Sequence, residues 1–254
     1  MSLVRNAIKP FKYGRFALNI LGGSAFIESC YAAPKISGIH GKHLNDYPPF
    51  RFWVKDLLHS MNVTLETKGV MMEENGLFVS NHVSWADTVV LNRARPLSFI
   101  ARHDLEEWPA IGTFTRRMHS VYIDRSNKFQ AYRCIPRIEE RLQEGRSVVV
   151  FPESTTTNGT RLLPFYGMFY EAAVRQGSRV QPVALRYEDE CGELYTGASF
   201  VGEDSFLQTL DRLLSIKKVY AKLSFLEPLD ASKLNRKELC VRTKQMIAAE
   251  LGLD

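Results

Sequence analysis

From Val63 onward the apolar positions fall into two spacings that alternate along the chain. Compact apolar runs at 63–67, 77–80, 97–101, 121–123, 147–151, 180–185 and 220–225 predict strands. The run Ser147-Val148-Val149-Val150-Phe151 is β-branched through its middle and reads as the clearest core strand. Between these runs, segments 105–118 (broken near Pro109), 129–143, 168–176, 205–214 and 234–251 read as helices, and Gly145 just past 143 supplies a helix stop. Pro182 within 180–185 suggests an edge strand or a bulge. Strands alternating with helices predict an α/β fold, a mostly parallel central sheet flanked by helices.

The first sixty residues have a different pattern. Pro10 and Pro34 bracket a helix over 11–33 in which Tyr13, Phe16, Ala17, Ile20 and Leu21 recur at three- and four-residue steps. Lys12, Arg15 and Asn19 fall on the other side. An amphipathic helix with a basic face suits a membrane interface, or packs on its own domain. Residues 34–49 are rich in Pro and Gly and read as a linker, and 51–61 as a second helix. This divides the chain into an N-terminal helical, membrane-associating region (1–61) and an α/β domain (62–254).

Composition sharpens that division. With 254 residues, 45% hydrophobic and 24% charged, the chain is built to bury a core, which excludes a disordered protein. Residues 1–60 hold eight basic and three acidic residues, which accounts for the whole net charge of +5. A basic N-terminal region points to an anionic partner, nucleic acid or a phospholipid surface, or is a solvated basic face; with no nucleic-acid-binding motif present the expected partner is an anionic phospholipid membrane. No signal-peptide core and no uninterrupted apolar run of about 18 residues is found, so the expected attachment is monotopic, from the cytoplasmic face of the inner or plasma membrane. Cys30, Cys134, Cys191 and Cys240 lie far apart without metal-ligand spacing, so free thiols and no metal site are expected.

The candidate chemistry sits at the ends of the predicted strands, where open α/β sheets place their sites. Strand 77–80 runs into Asn81-His82, and Asp87 follows five residues after the histidine. An imidazole there is a candidate general base and the carboxylate its orienting partner. Five residues on a straight helix put the two about 140° apart, so they meet only if the chain turns between them. A structural, hydrogen-bonded histidine is the alternative. Strand 121–123 delivers Asp124-Arg125, suited to gripping a phosphate or carboxylate or to a surface ion pair. Strand 147–151 opens into Pro152-Glu153-Ser154-Thr155-Thr156, a loop of small hydroxyl residues able to present N–H groups to an anion, or a solvated turn.

Four blocks in order, NHVSWAD (81–87), VYIDR (121–125), FPESTT (151–156) and VQPVAL (180–185), resemble the glycerolipid acyltransferase family, specifically bacterial 1-acyl-sn-glycerol-3-phosphate acyltransferases. The likeness covers roughly 62–229. It implies that His82 deprotonates the hydroxyl of a lysolipid, that Asp87 orients it, and that the oxygen attacks the thioester of acyl-CoA or acyl-carrier protein without a covalent acyl-enzyme. It also implies that Arg125 binds the acceptor head group, that Glu153, Ser154 and Thr155 shape the acceptor site, and that Arg102 lies near the phosphate. No cofactor is implied beyond the thioester co-substrate. Ser154, Thr156 and Tyr166 stand where the family pattern has Gly, Arg and often Lys. Lysophosphatidic acid is the first expected acceptor, and lyso-ornithine lipid or a lysophosphodiester the alternative. A serine hydrolase lacks its Gly-x-Ser-x-Gly elbow here, and a non-catalytic membrane-surface protein leaves His82 and Asp87 unexplained.

Overall fold

The computed structural model describes residues 2–32, 48–95, 97–108, 111–123 and 132–253. The helices are α1 (Ser2–Ala32), α2 (Pro48–Ser60), α3 (Asp87–Ala94), α4 (Ile111–Arg117), α5 (Cys134–Gln143), α6 (Glu171–Gln176), α7 (Phe206–Ser215) and α8 (Arg236–Leu251). The strands are β1 (Val63–Gly69), β2 (Gly76–Ser80), β3 (Ser98–Arg102), β4 (Val121–Ile123), β5 (Val148–Val150), β6 (Arg179–Glu188), β7 (Val219–Phe225) and β8 (Leu229–Asp230). They form one sheet in the order β1-β7-β6-β2-β5-β3-β4, with β8 beside β6. Pairing is parallel except where β6 meets β7 and β8. This is the expected mostly parallel α/β sheet.

Alternation along the strands splits the core into two layers. Phe78, Val149, Val183, Leu185 and Tyr187 face one side, where Phe16, Phe50, Val54, Val90 and Leu210 from α1, α2, α3 and α7 cover them. Leu77, Val79, Val148, Val150, Val180 and Ala184 face the other, covered by α5, α6 and α8 through Ile138, Ala173, Leu239 and Ile247. Buried on both faces, β2 and β5 read as unbroken apolar runs. Helix ends follow local chemistry. Ser205 with Gln208 and Asn235 with Glu238 form capping boxes, and Gly252 closes α8 in the left-handed region.

Two expectations need correction. Pro182 lies in a central strand, not at an edge, because β6 pairs with β2 on one side and β7 on the other; the alternative of a bulge holds, since three steps from Val180 to Val183 face four from Phe225 to Leu229. Its carbonyl accepts the Leu226 N–H at 3.0 Å, so its missing N–H falls in the gap between the β7 and β8 ladders. Buried Gln181 fills that gap, donating to Val70 O and Leu226 O and accepting from Met72 N.

The first helix also differs from its expected form. It begins before Pro10 and carries that proline inside it. Its apolar residues lie on two faces. Tyr13, Phe16 and Ile20 pack inward, while Phe11, Leu18 and Leu21 are exposed. The basic residues are turned toward the domain. Lys9 pairs with Asp211, Lys12 donates to Leu214 O, and Arg15 pairs with Asp56. An unpartnered helix would expose its charges, but here acids and carbonyls of α2 and α7 draw them in. Of the expected linker 34–49, residues 34–47 lie outside the described residues, and Pro48 and Pro49 instead open α2.

Candidate active site

The chain leaves the sheet at Asn81 because that side chain continues the ladder in place of the backbone. Its amide donates to Leu185 O at 2.9 Å and accepts from Leu185 N at 2.8 Å. His82 therefore emerges at the carboxyl end of β2. The next residues wrap around Asp87, whose Oδ2 accepts the N–H groups of Val83 at 2.8 Å and Ser84 at 2.9 Å. This is the turn that the five-residue spacing required, and it brings His82 Nδ1 to 2.7 Å from the same oxygen. The other carboxylate oxygen accepts the Tyr187 hydroxyl at 2.7 Å.

Asp87 is fully buried and surrounded by donors, which an acceptor-only carboxylate satisfies. The pairing places the ring proton of His82 on Nδ1 and leaves Nε2 as the acceptor. The ring stacks flat on Phe151, centroids 3.9 Å apart, and its side chain remains 16% exposed. One nitrogen is thus held by Asp87 while the side chain keeps some exposure. Burial, then the Asp87 charge, push the Tyr187 phenol well above its ordinary value, so it stays a donor.

Glu153 lies beneath this pair. One oxygen accepts His82 N at 2.9 Å and the other Leu163 N at 2.8 Å. Burial raises its carboxyl above the usual range, against the lowering pull of those two amides. Its structural action is to tie the 151–163 loop to the base. Thr157 N donates to His82 O at 2.8 Å and Phe200 N to Val83 O at 2.9 Å, adding two further ties. Ser154 sits at φ 59°, the left-handed conformation for which glycine is suited, and so explains why glycine is the residue of the family pattern. Thr155 is exposed, and Thr156 donates its hydroxyl to Phe200 O.

The other expected binding residues are placed less centrally. Arg102 ends β3 on the surface and is held by both oxygens of Asp104 at 2.9 and 2.8 Å. Arg125 lies outside the described residues.

A family model described as acyltransferase matches residues 60–186, half the chain, and spans the base, the Glu153 loop and β6. The chain belongs to the acyltransferase family. It is 32% identical over 201 residues to a lyso-ornithine lipid O-acyltransferase of Pseudomonas aeruginosa, covering 79% of this chain and 77% of that one. It is 35% identical over 182 residues to a 1-acyl-sn-glycerol-3-phosphate acyltransferase of Neisseria gonorrhoeae, covering 70% and 71%. In fold it is similar to the crystal structure of the 1-acyl-sn-glycerophosphate acyltransferase of Thermotoga maritima, with TM-score 0.62, 18% identity and 95% and 96% of the two chains covered.

Sequence reading missed two site residues, Tyr187 and Phe151. Tyr187 was visible as the third in the every-second-residue series Val183, Leu185, Tyr187 on one face of β6. Phe151 lay inside a recognised block, but no periodicity says that an aromatic ring will carry an imidazole.

Proposed function

We propose that this acyltransferase moves a fatty acyl chain from acyl-CoA or acyl-carrier protein to the free hydroxyl of a lysolipid, with His82 as general base. The observation that carries this is the Nδ1–Asp87 contact at 2.7 Å on a histidine whose side chain is not fully buried. Nε2 takes the hydroxyl proton as the oxygen attacks the thioester carbonyl. The tetrahedral adduct collapses, the C–S bond breaks, and the imidazolium returns its proton to the departing thiolate. A thioester is activated enough that the side chain need not be acylated first.

The acceptor head group follows from charge. Among the described residues, Arg102 is already neutralised by Asp104, and Thr156 is committed to Phe200 O. A phosphomonoester carries about −1.5 to −2 near neutral pH and a singly charged head about −1. Each charge-assisted contact that a dianion lacks costs it roughly 1.5–3 kcal/mol. A singly charged or zwitterionic head, of the lyso-ornithine type, fits this environment best. Lysophosphatidic acid is the second reading, favoured by exposed Arg161, five residues beyond Thr156 and without a partner among the described residues. Thiol release measured with each donor against lyso-ornithine lipid, lysophosphatidic acid and a lysophosphodiester tests both. Strong selectivity for lysophosphatidic acid rejects the first, and no thiol release with any pair rejects acyl transfer.

We further propose that the exposed stripe Phe11, Leu18 and Leu21 rests in the surface of an anionic phospholipid membrane from the cytoplasmic side. No helix among the described residues is long and apolar enough to cross a membrane. Replacing all three by Ser leaves the packed face of α1 intact and should weaken sedimentation with anionic vesicles at least tenfold. Unchanged sedimentation removes α1 as the contact.

A further inference from the structure

A cleft of about 450 Å³ opens between α2, β1 and the carboxyl end of α3. Arg51, Lys55, His59 and Arg93 line it, and no acidic residue does. None of these four side chains makes a hydrogen bond or ion pair with a described residue. Elsewhere on the described surface, cations pair readily, as with Lys9–Asp211, Arg15–Asp56 and Arg102–Asp104. The three permanent cations among them, Arg51, Lys55 and Arg93, have no counter-charge among the described residues and so give the cleft a positive potential that favours an anion. The remaining walls are apolar, including Met71 and Phe225. The volume suits a ligand of cofactor size.

We propose that this cleft binds the phosphorylated nucleotide end of acyl-coenzyme A. This rests on the acyl-transfer reading above and names where its donor is held. Three observations favour that occupant. Coenzyme A carries one phosphomonoester and a diphosphate, about four negative charges, against three permanent cations and an imidazole. Its purine is a flat apolar surface for Met71 and Phe225. Arg93 lies on α3, the helix that begins at Asp87, and six residues of helix span ~9 Å. The flexible arm of the donor is longer than that separation.

A membrane head group is the rival source of phosphate, and the faces of α2 argue against it. Trp53 and Asp56 meet α1, donating to or accepting from Asn19 and Arg15, whereas Arg51, Lys55 and His59 lie about 130° around the helix. The cleft is thus on a different face of α2 from the one that meets α1.

The test is equilibrium binding of coenzyme A to the full chain at fixed ionic strength, with the kinetics of the acyl-CoA donor alongside. The Arg51→Ser/Lys55→Ser double variant should bind coenzyme A at least tenfold more weakly. Its KM for acyl-CoA should rise equally, and its KM for the lysolipid should change less than twofold. Both sites are exposed, so folding should survive, and Arg93→Gln provides an independent variant with the same expected direction. Unaltered coenzyme A affinity in both variants overturns the proposal. So does a loss of anionic-vesicle binding with coenzyme A affinity intact, which would make the cleft a lipid site. If the wild-type protein turns over acyl-carrier protein but does not bind coenzyme A, the cleft proposal falls while acyl transfer stands.

Discussion

The dyad region and the first helix are held by opposite means. Around His82, the buried groups Asp87 and Glu153 have both carboxylate oxygens engaged, largely by backbone N–H groups. Backbone donors carry no rotamer freedom, so the geometry costs little to keep and tolerates little change. Helix α1 is instead held by one apolar face, Tyr13, Phe16 and Ile20, and by side-chain pairs at the surface, Lys9–Asp211, Arg15–Asp56 and Arg117–Glu28. Such pairs are screened by salt and contribute at most about 1 kcal/mol each. A site that must hold an imidazole in one orientation uses the first method. A helix that docks beside a bilayer can use the second, because its position need not be set to tenths of an ångström.

That contrast can be broken at graded cost. The largest effect should come from His82→Ala, which removes the proposed base. Turnover should fall by on the order of 10²–10⁴ while the melting temperature moves little. A folded variant with near-normal turnover would refute the mechanism. Next comes Glu153→Gln, which leaves one of two buried backbone N–H groups facing an amide donor instead of an acceptor. It should lose roughly 1–3 kcal/mol in denaturant unfolding and lower kcat with it. Wild-type stability and turnover would show that the carboxylate is not what ties the loop to His82. Tyr187→Phe should cost about tenfold in kcat with KM nearly unchanged, since it frees Asp87 Oδ1 without touching substrate. A His82→Ala/Tyr187→Phe double variant no slower than His82→Ala alone would support its acting through the dyad, whereas additive losses would not.

The surface ties should give the smallest effects and respond to pH. Lys9, then Tyr13, hold the Asp211 carboxyl below its usual range, against some desolvation. A depressed folded value means the contribution is present above the ordinary carboxylate pKa of about 3.9 and lost as pH falls through the lowered value. Docking of α1 should therefore persist to about pH 4, read by fluorescence of Trp53, whose indole donates to Asn19 O. Undocking already at pH 5 or above would show that this pair does not govern it. Lys9→Ala should shift the transition by less than about 1 kcal/mol, and added salt should reproduce part of the shift.

Much of this was legible in the chain because it is carried by local chemistry. Periodicity located the strands within a few residues, since burial on both faces demands unbroken apolar runs and a helix on the surface demands spaced ones. The spacing of His82 and Asp87 required a turn, and the turn is there. Where the reading failed, the deciding partner was remote in sequence. Nothing near Pro182 announces that Gln181 will bridge Val70 and Leu226 and so let a proline sit in a central strand. Nothing near Lys12 announces that Leu214 O will draw it inward.

The sequence by itself determined the alternation of elements, the α/β class, and the positions at strand ends where a base, a carboxylate and a hydroxyl-rich loop must emerge. Those follow from interactions within a few residues, where side-chain type sets backbone preference and burial sets spacing. Tertiary structure alone decided which face of α1 meets the domain, that Tyr187 completes the hydrogen bonding of Asp87 across 100 residues, and that Arg51, Lys55, His59 and Arg93 line one cleft with no ion-pair partner among the described residues. The physical reason is the same in each case. A hydrogen bond or a charge acts over a few ångströms of space, and only the folded sheet brings such distant positions that close.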